Sequence, residues 1–467
     1  MPLFPTLVAA AAALRAKRVS APELLRDVLD RIDRDDRFIH AYSDLIPATA
    51  EAEAKAASLR HARGEFLGPL DGVPIAVKDL IDTTPAICRA GLPHLADYHP
   101  REDADVVAVL RRAGAVIVGV LETDAGAFGT RTPQVINPIA PDRIAGGSSG
   151  GAGAAVCAGL AYGAIGTDTG GSIRIPASCC SVAGFKPSWG RVSVKGVRPL
   201  ARSCDHVGPL ARSAADLQAI QSLLDPREQE PVSAGPLRIG FSPEYFVDAA
   251  PLVTEAMARV TSALTVAGHG LRETRVPLPD DIMHAHMVTV SREAAAYHTQ
   301  RFPDLWRAHP DIARDGIELG RSFSDEDYAL AQVRRRRIAD VVDGLFETLD
   351  VLILPSLPAD APERAAQTVS LRGCELPVLE ATIRYTALFN HTGHPVVSLP
   401  AFPLPDGRAL SVQIVGARHC DQRLLAMARQ LEDIFAVSVD YDGLARAARM
   451  SVRRLRRRYA RGDLNAA

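Results

Sequence analysis

The chain has 467 residues, with 53 Lys and Arg side chains against 55 Asp and Glu side chains, so its formal net charge is −2. A chain of this length holds one large domain or several ordinary ones and can bury a sizeable core. The charge balance excludes a strong overall field toward nucleic acid or an anionic membrane surface, which leaves a small neutral ligand as the expected partner.

The cysteines and the N-terminus indicate the compartment. The seven cysteines are scattered and none has C-x-x-C spacing, so neither a disulfide framework nor a thiolate metal site is expected. Residues 1–20 have no basic stretch ahead of their apolar residues, and Arg15 and Lys17 interrupt those residues. This pattern predicts an amphipathic helix rather than a signal peptide and, with reduced thiols, a cytoplasmic protein.

The N-terminal third alternates helical and extended patterns. A capping box at 20–23 opens an amphipathic helix, and a second helix is predicted through 47–65. A buried strand follows at Pro74–Val77 with Lys78 at its end, and residues 103–120 have the pattern of a helix, a glycine turn and a strand. This alternation is typical of an α/β domain with a covered sheet.

One uncharged segment raises the question of a membrane span. From Ile144 to Thr167 the chain has 24 consecutive residues without a charged side chain, which is long enough to cross a bilayer. Gly, Ala and Ser dominate the segment, whereas a lipid-embedded helix uses Leu, Ile and Phe, so its insertion would be weak. We therefore expect a buried, tightly turned core segment and no membrane span.

Residues from about 240 to 350 are charged and helical in pattern and are expected to form a cap or insertion over the core. The segment is rich in histidine, with His269, His284, His286, His298 and His309. His284 and His286 make only an H-x-H pair, and no H-E-x-x-H motif occurs, so a polar helix face is favoured over a metal site. Alternatively, the pair contacts substrate together with Met283, Met287, Tyr297 and Trp306.

The C-terminal part combines sheet elements with a basic tail. Its predicted elements are three strands and one helix, at 350–358, 394–402, 409–416 and 421–435. Residues 446–467 form the tail, with eight arginines between Arg446 and Arg461. Because Tyr459 is the only interleaved aromatic residue and the rest of the chain is neutral, a solvated surface segment is favoured over nucleic-acid binding.

Three features require a common chemical explanation: Lys78, the run AGGSSGGAG at 145–153 and the run DTGGSIRIP at 168–176. Separately, each has an ordinary interpretation, as a surface lysine, a flexible loop and a helix cap. The middle run lacks the Gly-Lys-Ser/Thr ending of a P-loop and the third glycine of a dinucleotide motif, so it does not indicate nucleotide binding.

Residues 146–150 also match G-x-S-x-G, the nucleophile elbow of α/β-hydrolases. An esterase of that class would use Ser148 with a downstream acid and histidine, for which Asp205 and His391 or His394 are available. This hypothesis leaves the second glycine–serine site without a role.

Taken together, the three features resemble the amidase signature family of serine hydrolases. The sequence follows the family signature at Gly146, Gly147, Ser148, Ser149, Gly150, Gly151, Asp168, Gly170, Ser172, Arg174 and Pro176. Further blocks similar to the family lie at 68–82, 184–193, 205–217 and 389–400. The similarity covers most of the chain and is weakest at 225–385.

The resemblance implies a single domain over 1–467, with a mixed, twisted central sheet covered by helices on both faces. It implies a relay in which Ser172 is the nucleophile, Ser148 the bridging residue after a cis peptide bond, and Lys78 the base. The oxyanion hole would consist of backbone N–H groups of Thr169, Gly170, Gly171 and Ser172. Side chains that would support the site are Ser149, Asp168 and Arg174. Neither a metal nor an organic cofactor is expected.

The function expected from the resemblance is hydrolysis of a small amide through an acyl-enzyme, by a monomer or a homodimer. A carbamate or a urea-type compound is kept open as substrate, and the alternatives are a glutaminase subunit of an amidotransferase or a non-catalytic partner subunit. Ile175 stands where such glutaminase subunits commonly have Gln, which favours a stand-alone hydrolase. Glu122, Ala125 and Gly126 depart from the family's Asn-x-x-Glu-Phe element, so we expect an altered pocket wall.

Overall fold

The computed structural model describes residues 2–227 and 235–449. The predicted basic tail at 446–467 therefore lies outside the described residues from position 450 onward. Residues 441–449 are helical, and the Arg449 guanidinium in this helix donates a hydrogen bond to the Asp35 carboxylate.

The strands are short, and most of them are buried. Their bounds are β1 Tyr42–Leu45, β2 Pro74–Lys78, β3 Val116–Leu121, β4 Gly163–Asp168, β5 Ala183–Lys186, β6 His206–Ala211, β7 Arg238–Phe241, β8 Gly270–Glu273, β9 Val351–Pro355, β10 Thr368–Leu371, β11 Cys374–Pro377, β12 Val396–Pro403 and β13 Ala409–Val415. Among the described residues, eleven strands form one sheet in the order β1-β3-β2-β4-β6-β5-β12-β13-β9-β7-β8, while β10 and β11 form a separate hairpin. The pairs among β3, β2 and β4 and among β9, β7 and β8 are parallel, and the other pairs of this sheet are antiparallel.

Helices connect these strands and pack against the sheet. Their bounds are α1 Leu7–Arg15, α2 Ala21–Arg31, α3 Arg37–Ile39, α4 Pro47–Arg63, α5 Asp105–Arg112, α6 Gly150–Ala158, α7 Arg174–Cys179, α8 Ala214–Leu224, α9 Pro251–Val266, α10 Pro279–Arg301, α11 Asp311–Ser322, α12 Asp325–Leu345, α13 Val378–Ile383, α14 Leu388–Thr392 and α15 Asp421–Phe435. The mixed sheet with its layer of helices confirms the predicted fold class.

The N-terminal elements follow their local sequence signals. The Ser20 side chain accepts a hydrogen bond from the Glu23 N–H, and the Glu23 carboxylate accepts one from the Ser20 N–H at 2.8 Å, so the predicted capping box opens α2. The predicted helix–turn–strand unit at 103–120 is present as α5 and β3. The uncharged segment at 144–167 is almost wholly buried and holds α6 and most of β4. Within the described ranges, no helix is both long and apolar enough to cross a membrane.

The parallel strands β3, β2 and β4 bring distant residues to one edge of the sheet. Because β2 pairs in parallel with both neighbours, the carboxyl ends of the three strands lie together. Lys78 is the last residue of β2, Asp124 follows β3, and residues 169–172 follow β4. Ligand sites of open α/β sheets form at this edge.

The stretch from about 240 to 350, which was expected to form a helical cap or insertion, also contains strands of the main sheet. Strands β7 and β8 extend the main sheet at its edge, with α9 between them, and only α10, α11 and α12 form a helical layer of their own. Each of these two strands has four residues. A run of that length is too short for hydrophobic periodicity to separate a strand from a helix, which explains the difference.

Candidate active site

Lys78 is fully buried at the end of β2. Its Nζ donates hydrogen bonds to Ser148 Oγ at 2.7 Å and to Thr167 Oγ1 at 2.8 Å. Burial lowers the pKa of Lys78 to about 7, although the charges of Asp124, Asp168 and Asp205 oppose this shift. The amine is therefore neutral in a large fraction of molecules at neutral pH, and a neutral amine can accept a proton.

The Ser148 loop passes close to other backbone segments. The peptide bond between Gly147 and Ser148 is cis, as the resemblance implies. A Cβ at Gly147 would lie 2.1 Å from Asp124 Oδ2, so only glycine fits this approach. Asp124 accepts a hydrogen bond from the Thr132 N–H at 2.8 Å, and burial raises the pKa of Asp124 to about 6. The loop is thus held against a buried carboxyl group.

Ser149 connects the Ser148 loop to the segment that carries Ser172. Its backbone N–H donates to the Ser172 carbonyl oxygen at 3.2 Å, and its Oγ donates to the Thr167 carbonyl oxygen at 3.2 Å. Ser172 is 6% exposed and lines a cavity. The two serine-bearing segments are therefore in direct contact, with Lys78 on the Ser148 side.

The backbone from Thr169 to Ser172 has N–H groups for which the described part of the chain provides no acceptor. Within residues 2–227 and 235–449, no hydrogen bond from the N–H groups of these four residues is found. Gly171 has φ +139°, and Thr386 Oγ1 donates to the Gly170 carbonyl oxygen at 2.5 Å. Because a trans peptide directs its C=O and N–H oppositely, this bond turns the Gly171 N–H away from Thr386. The segment has the form of a nest of donors.

Asp168 and Arg174 form a fully buried ion pair below this segment. Arg174 Nη2 and Nε donate to the Asp168 carboxylate at 2.9 and 3.0 Å, and the carboxylate also accepts the Ile173 N–H at 3.1 Å. Burial alone would raise the pKa of Asp168, but the Arg174 guanidinium outweighs burial and holds it well below its usual range. The pair therefore stays ionised and fixes the start of α7, directly after Ser172.

The cavity beside Ser172 has a volume of about 230 Å³. Apolar side chains form most of its wall, namely Ala127, Phe128, Leu200, Met287, Val290, Ile312, Leu319, Leu379 and Ile383. Asp315 is the only charged residue in the lining that the described chain provides. The cavity suits a small, mostly apolar ligand without a net negative charge.

Comparison with known proteins identifies the family to which the chain belongs. The sequence profile described as Amidase matches residues 23–425. The chain belongs to the amidase family. It is a hydrolase of carbon–nitrogen bonds that acts on amides.

Individual relatives cover nearly all of this amidase. AmiD of Mycobacterium tuberculosis, classed as a candidate amidase, is 36% identical over 433 residues, which are 89% of this chain and 90% of AmiD. The 1-carboxybiuret hydrolase subunit AtzE of Pseudomonas sp. (strain ADP) is 35% identical over 441 residues, 89% of this chain and 95% of AtzE. A crystal structure of an amidase matches with a TM-score of 0.84 and 32% identity, covering 92% of this chain and 99% of that chain.

The geometry of this amidase does not support the esterase alternative. Ser148 is bonded to Lys78, and the Asp205 carboxylate accepts from Thr169 Oγ1 at 2.7 Å. His391 contacts Cys204 and His286, while His394 contacts Thr392 and Asp343. The contacts found among the described residues therefore do not join Ser148 to the acid and the histidine that a nucleophile elbow at 146–150 would use.

Of the residues suggested as substrate contacts, only some reach the cavity. His286 and Met287 line it, whereas His284 lies edge-on to Phe323 with ring centroids 6.4 Å apart. Met283 packs in an apolar cluster with Ile175, and Trp306 packs against Ala295 and Ile317. The departing residues Glu122, Ala125 and Gly126 are not in the cavity lining, which begins with the next two residues, Ala127 and Phe128.

Sequence analysis missed several polar partners of the site. Thr167 accepts a hydrogen bond from Lys78, and Thr386 donates one to the Gly170 carbonyl oxygen. Asn390 and Gln413 each accept a hydrogen bond from Arg174 at 2.7 Å. Thr167 could have been found, because it is a polar residue at the end of a buried strand next to Asp168. The other three had no local signal.

Proposed function

We propose that this amidase hydrolyses small amides through an acyl-enzyme on Ser172, with Ser148 and Lys78 as its proton relay. The observation that carries the proposal is the set of buried N–H donors at 169–172 without acceptors among the described residues. Buried donors are rarely left unbonded, so such a set beside a serine indicates a site for a developing negative charge. Lys78, which has a pKa of about 7 and hydrogen-bonds Ser148, supplies the base.

The first half of the reaction follows from these positions. Lys78 Nζ takes the proton of Ser148 Oγ, which takes the proton of Ser172 Oγ as that oxygen attacks the substrate carbonyl carbon. The N–H groups at 169–172 bind the oxyanion of the tetrahedral intermediate. The relay then runs in reverse and protonates the nitrogen, the carbon–nitrogen bond breaks and the amine leaves. Water attacks the acyl-enzyme through the same relay, which releases the acid and restores Ser172.

We infer that Ser149, Asp168 and Arg174 support this relay without transferring protons. Ser149 donates hydrogen bonds to the carbonyl oxygens of Thr167 and Ser172. The Asp168–Arg174 pair holds the backbone that follows Ser172 through a hydrogen bond from the Ile173 N–H to Asp168. Each contact restricts a group whose position decides the reaction geometry. Precise placement of reacting groups accounts for a large share of enzymatic rate enhancement.

The cavity favours an uncharged substrate, with an amide, a carbamate or a urea-type bond. A glutaminase has to hold both the α-ammonium and the α-carboxylate of glutamine, and the described lining has a carboxylate, Asp315, but no cation to bind the α-carboxylate. This observation supports a stand-alone hydrolase over an amidotransferase subunit. The depressed pKa of Lys78 likewise supports catalysis over a non-catalytic binding role.

We further propose a single catalytic domain capped by α10–α12, acting as a monomer or homodimer without nucleic acid.

Covalent labelling tests the proposed nucleophile. A fluorophosphonate probe is expected to modify Ser172, as mapped by peptide mass analysis, because that serine combines exposure to the cavity with the donor nest. Ser172→Ala should abolish labelling, whereas Ser148→Ala should slow it by removing the relay. A label on Ser148 that persists in Ser172→Ala would show that the nucleophile has been misassigned.

The pH dependence tests the proposed base. Since Lys78 must be neutral to accept a proton and its pKa is about 7, kcat/KM should rise as pH increases through about 7 and level off above it. Well below pH 7, kcat/KM should fall about tenfold for each pH unit. The rate of fluorophosphonate labelling should follow the same curve. A flat profile between pH 5 and 9, or a decrease with rising pH, would exclude Lys78 as the base.

A further inference from the structure

His286 lies on α10 with its imidazole against the loop that carries the nest of donors. The residue is 5% exposed and lines the same cavity as Ser172. A Cβ placed on Gly170 would be 2.8 Å from His286 Cε1 and 3.1 Å from its Nε2. The Nε2 edge of the ring therefore lies beside the place proposed for the substrate carbonyl oxygen.

The other ring nitrogen of His286 begins a hydrogen-bonded chain that leads away from the cavity. Its Nδ1 lies 2.8 Å from His391 Nε2, with the two rings nearly perpendicular at 86°. His391 Nδ1 in turn lies 3.6 Å from Cys204 Sγ. Burial lowers the pKa of His286 to about 4 and that of His391 well below its usual range, so both rings are neutral. Each neutral ring has one N–H donor and one acceptor nitrogen.

Cys204 sets the direction of this chain. Burial raises the pKa of Cys204 to about 12, so it carries an S–H hydrogen. Its other neighbour is Ser203, whose Oγ donates to Glu293 at 2.5 Å and accepts from Arg335 at 2.8 Å. An imidazole nitrogen is the stronger acceptor available to the thiol.

The hydrogen positions of the two rings follow from this direction. We infer that Cys204 donates to His391 Nδ1, so that His391 donates from Nε2 to His286 Nδ1. The hydrogen of His286 then sits on Nε2, and this N–H is aimed at the cavity.

We propose that His286 is a specificity-determining residue. Its Nε2–H binds the alkoxy oxygen of a carbamate, which is joined to the scissile carbonyl carbon by a single bond, so the enzyme prefers a carbamate to an amide of the same shape. This inference rests on the proposed function of Ser172. The carbonyl oxygen is assigned to the backbone N–H groups at 169–172 and the walls around the ring are largely apolar. An amide therefore offers the imidazole donor no further acceptor, and a site built for a hydrogen bond discriminates against a ligand that lacks it.

Three isosteric anilides test the inference. Methyl N-phenylcarbamate, propionanilide and N-methyl-N′-phenylurea release the same aniline and differ only in an O, a CH₂ or an NH beside the carbonyl. The carbamate-to-amide ratio of kcat/KM should fall about tenfold in His286→Leu, the factor expected for one lost hydrogen bond. His286→Gln, which keeps a hydrogen-bond donor, should recover part of the carbamate-to-amide ratio. His391→Leu should give an intermediate ratio, because without His391 nothing holds the His286 hydrogen on Nε2.

A neighbouring cavity residue provides the matched control. Met287→Leu changes the shape of the same wall without changing its hydrogen bonding, so it should alter carbamate and amide turnover by similar factors. As a readout without turnover, each anilide should slow fluorophosphonate labelling of Ser172, and the advantage of the carbamate in this protection should be lost in His286→Leu.

The outcomes separate this inference from the proposed function. An unchanged carbamate-to-amide ratio in His286→Leu, in turnover and in protection, would overturn the inference. If His286→Leu lowered kcat/KM for the urea alone, His286 Nε2 would be accepting a hydrogen bond from the urea N–H. That result would also overturn the inference. Absence of Ser172 labelling in the wild-type enzyme would instead refute the proposed function.

Discussion

Replacement of Lys78 by methionine is expected to lower kcat/KM for an anilide substrate by about 10⁴-fold, the order of loss seen when one member of a catalytic relay is removed. Methionine retains a long, unbranched side chain that fits the buried site at the end of β2. It has no nitrogen to accept the proton of Ser148, so Ser172 is no longer activated. The measurement is steady-state hydrolysis, with chemical denaturation to verify that the variant is folded.

Lys186 offers the matched control for this experiment. It is also a fully buried lysine, but its Nζ donates to the Pro187 carbonyl oxygen at 2.8 Å and it does not line the Ser172 cavity. Lys186→Met should therefore lose far less activity than Lys78→Met. Equal losses in the two variants would show that buried lysines support folding and not proton transfer, and the assignment of Lys78 would fail.

Replacement of Arg174 by methionine is expected to lower the free energy of unfolding by about 3–5 kcal/mol, as is typical when one partner of a buried ion pair is removed. All five N–H groups of Arg174 donate hydrogen bonds. Two go to the Asp168 carboxylate, and one each goes to Asn390, to Gln413 and to the Thr386 carbonyl oxygen. Without the guanidinium, the Asp168 charge remains buried and uncompensated. Urea denaturation of both proteins measures the difference.

Two further variants show whether this loss comes from the buried charge. An Asp168→Leu/Arg174→Met double variant should be less destabilised than the sum of its single variants, because no lone charge stays inside. The ion pair between Arg259 and Glu255 lies on the surface, with side chains that are 67% and 54% exposed. Arg259→Met should therefore lower the free energy of unfolding by about 1 kcal/mol or less. Additive losses at 168 and 174 would contradict the coupling.

The residues of the proposed relay were predicted from the sequence because the runs around Ser148 and Ser172, together with Lys78, resemble the amidase signature. Taken separately, each of the three features has an ordinary interpretation, so their combination carried the prediction. The hydrogen-bond network of Arg174 had no such signal, since Asn390 and Gln413 lie 216 and 239 positions away in the chain. The strands at 238–241 and 270–273 were missed because their four residues carry too little periodicity.

Local signals in the chain were enough to identify the capping box of α2, the alternation of helices and strands, and the glycine-rich segments around the two serines. These features depend on interactions within a few residues, which composition and spacing encode directly. Tertiary packing determines which strand ends share an edge and which side chains line the cavity. It also brings His286 into contact with His391, which is 105 positions away in the chain. Such contacts depend on how α10 packs against α14, and no local pattern specifies the packing of two helices that are distant in the chain.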